Sequence, residues 1–131
     1  LRSNWSFPTT SIYDGFVEVF NGIGENWSFV ESKDRQKKLI SKTTEKQRIS
    51  DLCCTGLYHF NNYLDFCNSF NKYLSIPKSK WEKGEIYVAP LYNWLISKGK
   101  KFVYIKVPKN LLSFFGTPDE YKAFNEKKLN I

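Results

Sequence analysis

Methionine is absent from this 131-residue sequence, and histidine occurs once, as His59. Without any Met there is no initiator residue. The expectation is that the chain is processed, truncated or excised from something longer. A single His is too little for a zinc site. His59 stands late in an apolar run and reads as a strand residue rather than a catalyst. Cysteine is scarce too: Cys53, Cys54 and Cys67, an odd number with no CxxC spacing. That does not suggest a disulfide framework and suits buried, reduced thiols in a cytosolic protein. No apolar run approaches the roughly 20 residues that a membrane span needs. The opening LRSNWSFPTT has no signal-peptide pattern. A soluble, cytoplasmic protein with no membrane partner is expected.

What is present is a globular composition, 41% hydrophobic and 25% charged. One domain over residues 1–131 is expected, with a core of its own. Aromatic residues make up 18%, so many must be buried or stacked. The net charge of +7 favours anionic partners such as phosphates, nucleotides or nucleic acid. The lysines are spread through KDRQKK, KGKK and NEKK, the pattern of solvated faces.

Strand signals come first. DGFVEVF (14–20), WSFVES, LISKTTEK and LCCTGLYHF read as four strands, the last apolar enough to lie centrally in a sheet. NGIGEN and KDRQKK separate them as a loop and a turn. After Phe60 the period changes. In NNYLDFCNSFNKYLSI, Tyr63, Phe66, Phe70 and Tyr73/Leu74 recur at helical spacing, a face read most simply as core. EIYVAPLYNWLISKG is a second helix, with Tyr87, Leu91, Trp94 and Leu95 on one face and Gly99 as its stop. Pro90 demands a kink or a later start there. KFVYIKVP is a strand. TPDEYKAFNEKK is a helix with Thr117 as N-cap, Pro118 first, acidic Asp119 and Glu120 next, and Glu120 at capping-box spacing. IPKSKWEKG (76–84) reads as a polar loop. The order predicts an α/β layered domain, a mixed sheet flanked by helices.

Four segments then resemble one family in the family's own order. EKQRISDLCCTGLYHF is similar to the EKP…N…TG(I/L)Y.F segment of sugar nucleotidyltransferases, the sugar-1-phosphate pyrophosphorylases. DGFVEVF…WSFVES resembles the strand pair after their central metal-binding Asp. GEIYVAPLYNWLISKGKKF resembles the E.Y..P.YN.LI..G helix of capsule and lipopolysaccharide members. FFGTPDEYKAF resembles the closing (D).GTPEDL..F motif. Together they cover roughly residues 14–124.

The resemblance implies the C-terminal half of a Rossmann-like, GT-A-like nucleotidyltransferase fold. The family's GxGTRxxP loop and first metal-binding Asp have no counterpart here. It implies binding of a sugar 1-phosphate or similar phosphorylated acceptor. The nucleoside triphosphate would bind through the missing half, with Mg²⁺ in the complete enzyme. Lys46 would neutralise the acceptor phosphate and act catalytically, and Glu45 would hold sugar hydroxyls. Thr55 and Gly56 would face the sugar, and Ser28 would line the pocket through its backbone. No metal ligand is assigned, because Phe114 stands where many members place a second metal-binding Asp. Capsule-type members often lack that Asp, so an active parent enzyme is implied. The isolated chain is expected to be inactive, and a homo-oligomer is compatible with the reading.

Read without the resemblance, a Glu-Lys pair in a loop is a solvated turn, and a Gly inside a strand marks a bulge. Two other readings stay open: a non-catalytic binding or assembly module derived from the family, and a basic nucleic-acid-binding domain.

Overall fold

The computed structural model describes residues 6–8 and 12–129. These divide into two compact units, residues 12–107 and residues 108–129 with 6–8. The larger unit is a five-stranded mixed sheet with two helices. Its strands are β1 (Gly15–Asn21), β2 (Ser28–Glu31), β3 (Lys42–Glu45), β4 (Leu52–Phe60) and β5 (Phe102–Lys106). Their order is β3-β2-β4-β1-β5, so β4 is central as its apolar run predicts. β5 runs parallel to β1, and the other neighbours are antiparallel.

The mixed α/β sheet matches the sequence reading, with one boundary moved. LISKTTEK does not form one strand. Ile40 donates its N–H to the Phe102 carbonyl (2.9 Å), and Lys38 accepts from Tyr104 N–H (3.0 Å). Only Lys42–Glu45 is left to pair with β2.

β1 is buried from Gly15 to Phe20, on both faces. Val17 and Val19 join Val30, Leu52, Cys54, Phe102 and Tyr104 in one core cluster. Phe16 and Phe20 alternate to the other face. There Phe16 stacks on His59 at 5.0 Å, and Phe20 meets the edge of Trp27 at 5.1 Å. Coverage of both faces explains why β1 reads as apolar nearly throughout. Gly15 is required by a close approach: a Cβ there would sit 2.1 Å from the His59 carbonyl oxygen.

Helix α2 (Val88–Ser97) fills the first face with Leu91, Tyr92 and Leu95. It starts later than 85, so Pro90 falls in the first turn, where its missing N–H costs no intrahelical bond. The buried Tyr92 ring stacks on Phe60 at 4.5 Å. Its hydroxyl donates towards the carbonyls of His59 (3.2 Å) and Phe16 (3.3 Å). Gly99 closes α2 with φ +86. Gly99 N–H bonds the Ile96 carbonyl (3.0 Å) and Lys100 N–H the Leu95 carbonyl (3.1 Å), a Schellman end.

Helix α1 (Tyr63–Leu74) is capped by Asn62, whose side chain accepts from Leu64 N–H at 3.0 Å. The expectation that its aromatic face is core is corrected here. Tyr63 is 73% exposed, Leu74 52%, Phe66 37% and Phe70 36%. The buried positions are Asp65 and Ser69. Ser69 Oγ donates to the Leu91 carbonyl (2.6 Å), Tyr73 OH to the Pro90 carbonyl (2.7 Å), and Asp65 pairs with Lys100 (3.3 Å). Helical spacing reveals an apolar face. Bonds to the first turn of α2 decide which face turns inward. Cys67, on this helix, is exposed, whereas Cys53 and Cys54 are buried as expected.

The second unit carries α3 (Pro118–Leu129) with its predicted capping box. Thr117 N–H donates to Glu120 Oε2 (3.0 Å), and Glu120 N–H donates to Thr117 Oγ1 (3.3 Å). Among the described residues no helix is long and apolar enough to cross a membrane.

β3 would be an open edge, but α2 clasps it. Asn93 Oδ1 accepts Thr43 N–H (2.8 Å), and Asn93 Nδ2 donates to the Thr43 carbonyl (2.9 Å). Thr43 Oγ1 donates to the Ala89 carbonyl (2.5 Å). The Asn93 amide therefore replaces a neighbouring strand at the fully buried Thr43. Asn93→Leu should leave both backbone groups unpaired, at about 1–3 kcal/mol each. Urea denaturation followed by circular dichroism should show a loss of about 2–4 kcal/mol. Asn93→Asp keeps the acceptor but sets a carboxylate oxygen against the Thr43 carbonyl, so it should not restore the stability. A change below about 1 kcal/mol in the Leu variant would contradict the clasp.

Candidate functional site

β3 ends at Glu45, which is buried, and the next residue, Lys46, has a left-handed backbone with φ +51. A non-glycine residue there is strained by about 1–3 kcal/mol and needs surrounding support. Three bonds supply it. Glu45 N–H donates to Glu82 Oε2 (2.7 Å), Lys46 N–H donates to the Trp27 carbonyl (2.9 Å), and Thr44 Oγ1 donates to the Gln47 carbonyl (2.6 Å).

This turn forms one wall of a cleft of about 510 Å³ lined by Glu25, Glu45, Lys46, Gln47, Arg48, Glu82 and Lys83. The Lys46 ammonium projects beside Tyr87, 3.4 Å from the hydroxyl and 5.3 Å from the ring centroid. Lys83 is also left-handed, with φ +52, inside the 3₁₀ turn Glu82–Gly84. Arg48 turns away from the cleft centre to hold the β1–β2 loop. Its guanidinium donates to the carbonyls of Gly24 (2.9 Å) and Gly22 (3.0 Å) and lies 5.6 Å from the Phe29 ring centroid. That loop carries Glu25. Among the described ion pairs, none joins a cleft carboxylate to a cleft cation. Lys46 and Lys83 therefore face an open volume.

Behind Glu45 lies a polar row, half-buried at Ser28 and Tyr58 and buried at Cys54. Ser28 Oγ donates to Glu45 Oε2, so Ser28 meets the site through its side chain. The Tyr58 hydroxyl lies beside Ser28 and Cys54. Burial pushes the Tyr58 and Tyr92 hydroxyls well above their ordinary range. It also pushes the Cys54 thiol up to about 12; neighbouring Cys53 and Glu45 add to this, and a hydrogen bond with Tyr58 opposes it.

Thr55 and Gly56 sit on β4, two strands from β3, and are not among the residues lining the cleft. They form a bulge: Val17 pairs with Tyr58 and Val19 with Cys54, so Glu18 alone faces three residues of β4. Thr55 Oγ1 donates to Glu18 Oε1 (3.0 Å) within the bulge. Gly56 has φ +98 and is exposed, and a Cβ added there would meet nothing within 4 Å. Its glycine is a matter of backbone conformation, and its face is open. The structure thus brings Glu45, Lys46 and Ser28 together and places Thr55–Gly56 beyond Cys54.

Sequence reading missed Glu25, Gln47, Arg48, Glu82 and Lys83. Arg48 and Gln47 directly follow Lys46 in EKQR, a signal that was present. Glu82 and Lys83 lay in the stretch read as a polar loop. Among the described residues no group of three His, Cys, Asp or Glu side chains is placed to hold a metal ion.

Cys54 is neutral in the folded chain and shielded from reagents. A thiol reagent near pH 8 should titrate one group quickly, Cys67, and all three after denaturation. Cys67→Ser should abolish the fast phase. Because the folded Cys54 pKa is raised from 9.0, its contribution to stability is complete below that value. It should be lost as pH climbs from 9.0 toward about 12. The raised Tyr58 and Tyr92 act in the same direction. Denaturation midpoints should therefore fall through this range rather than rise.

No family model matches this sequence, and no curated protein matches it. Five chains of solved structures do. One is the nucleoside-diphosphate-sugar pyrophosphorylase from Vibrio cholerae RC9, with 43% identity and a TM-score of 0.90. The match covers 96% of this chain and 52% of that protein, so this chain spans about half the length of its neighbour.

Proposed function

We propose that this chain is the sugar-phosphate-binding part of a nucleotidyltransferase. The complete enzyme would make a nucleotide-activated sugar from a nucleoside triphosphate and a sugar 1-phosphate for surface polysaccharide synthesis, in the cytoplasm. The chain would correspond to the C-terminal half of a Rossmann-like, GT-A-like fold of the capsule or lipopolysaccharide type. The pyrophosphorylase name of the Vibrio cholerae neighbour supports the reaction class. The observation that carries the reading is the open cleft at the end of β3. It sets two left-handed lysines, Lys46 and Lys83, beside the buried Glu45 carboxylate.

In this reading the acceptor phosphate sits between the Lys46 and Lys83 ammonium groups, and sugar hydroxyls donate to Glu45. Ser28 fixes the Glu45 carboxylate from behind. Tyr87 steadies the Lys46 ammonium. Thr55 and Gly56 offer the open backbone face along which the sugar would lie. The chemistry is in-line attack of a sugar-phosphate oxygen on the α-phosphate of the triphosphate, with pyrophosphate as leaving group. This chain would contribute orientation and charge neutralisation. Mg²⁺ would supply further charge neutralisation between the phosphates when bound. Among the described residues no group of three His, Cys, Asp or Glu side chains is placed to hold it, and the Phe114 side chain offers no ligand atom. The triphosphate would be held by the other half of the enzyme.

The binding half of this reading is testable on the chain itself. Calorimetric titration with a panel of hexose 1-phosphates should show binding of at least one. A Lys-to-phosphate bond contributes about 1.5–3 kcal/mol, so Lys46→Ala should weaken it about 10- to 150-fold. The chain alone, given triphosphates, Mg²⁺ and the same panel, should release no pyrophosphate. Equal affinity in wild type and Lys46→Ala would sink the assignment of Lys46.

A further inference from the structure

The amide of Glu45 points away from the sheet, off the outer edge of β3. No strand meets it. Its partner is a side chain 37 residues further on, the Glu82 carboxylate, at 2.7 Å. The Glu82 oxygen accepts where a neighbouring strand's carbonyl otherwise would. Two features of the surroundings give that bond a wider reach.

The first lies on the β3 side. Glu45 is followed at once by the strained Lys46, so the atom Glu82 holds is adjacent to the left-handed residue. The second lies on the Glu82 side. Glu82 opens the short turn Glu82–Gly84, and the next residue is Lys83, the other left-handed lysine of the cleft. The turn has a separate tether, the Trp81 indole N–H to the Tyr73 carbonyl at 2.9 Å, which leads back to α1. The Glu82–Glu45 bond thus joins the two cation-bearing walls at the backbone, beside the side-chain contact of Lys46 with Tyr87.

We propose that Glu82 is a positioning residue: its carboxylate latches the Glu45 amide and so sets the spacing of Lys46 and Lys83 for a phosphorylated ligand. This rests on the reading of the cleft as a sugar-phosphate site. Glu82 acts as a hydrogen-bond acceptor for protein backbone, and its role there does not require a negative charge. That separates it from Glu45, whose carboxylate is turned to ligand hydroxyls. A glutamine at 82 can still accept the amide through its carbonyl oxygen, whereas an alanine cannot.

The test compares Glu82→Gln and Glu82→Ala in the ¹⁵N-labelled chain, with α-D-glucose 1-phosphate and inorganic phosphate as probes. Two readouts are taken: hydrogen exchange and chemical shift of the Glu45 amide without ligand, and affinity for each probe. In Glu82→Ala the Glu45 amide should lose protection and shift upfield, and affinity should fall about tenfold or more. Glu82→Gln should restore both to within about threefold of wild type. Three results would overturn the proposal: an unchanged Glu45 amide in Glu82→Ala, a changed amide with unchanged affinity, or a Gln variant as weak as the Ala variant. The last would mean that Glu82 touches the ligand through its charge. If wild type binds neither probe nor any other hexose 1-phosphate of the panel, the functional reading has failed in its own right, and the amide measurement alone then decides the latch.

Discussion

The outer edge of β3 is held by side chains, and the cleft depends on that. An edge strand offers unpaired N–H and C=O groups that would otherwise face solvent or another chain. Here Thr43 is met by the Asn93 carboxamide and Glu45 by the Glu82 carboxylate, on alternate residues of one edge. Both partners arrive from the segment between β4 and β5, Asn93 from a helix and Glu82 from a short turn. The strand is thus fixed in place by the elements that also build the far wall. Its last residues, Glu45 and Lys46, inherit a defined position.

The left-handed Lys46 makes sense in that frame. Strain of this kind persists only where several neighbours over-determine the backbone. Bonds from Glu45 N–H, Lys46 N–H and Thr44 Oγ1 do so within three residues. The row behind it, Ser28, Tyr58 and Cys54, is uncharged: burial keeps Tyr58 and Cys54 protonated well above neutral pH. The Glu45 carboxylate is braced by the Ser28 hydroxyl, and none of the described ion pairs includes it. Lys46 and Lys83 line the cleft beside it. Lysines and carboxylates together on the open side, with neutral groups behind, suit a ligand that carries both phosphate and hydroxyls.

The helices reach the same region by different means. α2 buries a conventional apolar face against the sheet. α1 docks through Asp65, Ser69 and Tyr73 onto carbonyls of α2 and onto Lys100. Lys100 is delivered there by the Gly99 turn that ends α2, and it also pairs with Asp14 at 3.7 Å before β1. Its ammonium pKa is raised, first by the hydrogen bond to Asp65. A polar docking face leaves Tyr63, Phe70 and Leu74 of the α1 stripe outward, while Phe66 meets Phe60 edge-on at 5.5 Å and Tyr73 bonds to α2.

The sequence by itself determined whatever depends on contacts within a few residues. The apolar run of β4 implied a central strand, Thr117 and Glu120 a capping box, and Gly99 the end of α2. Glu45-Lys46 stood out because a charged pair precedes a strand with Thr-Gly inside it, and the Gly56 bulge was one of the two meanings that residue could have. Tertiary structure alone decided the rest. It chose the inward face of α1, set Ser28 against Glu45 across two strands, and brought Glu82 and Lys83 to the end of β3. It also gave Asn93 the work of a missing strand. The reason is range: a helix period or a cap is written in neighbouring side chains, whereas a cleft wall joined across 37 residues exists only once the sheet and α2 have packed.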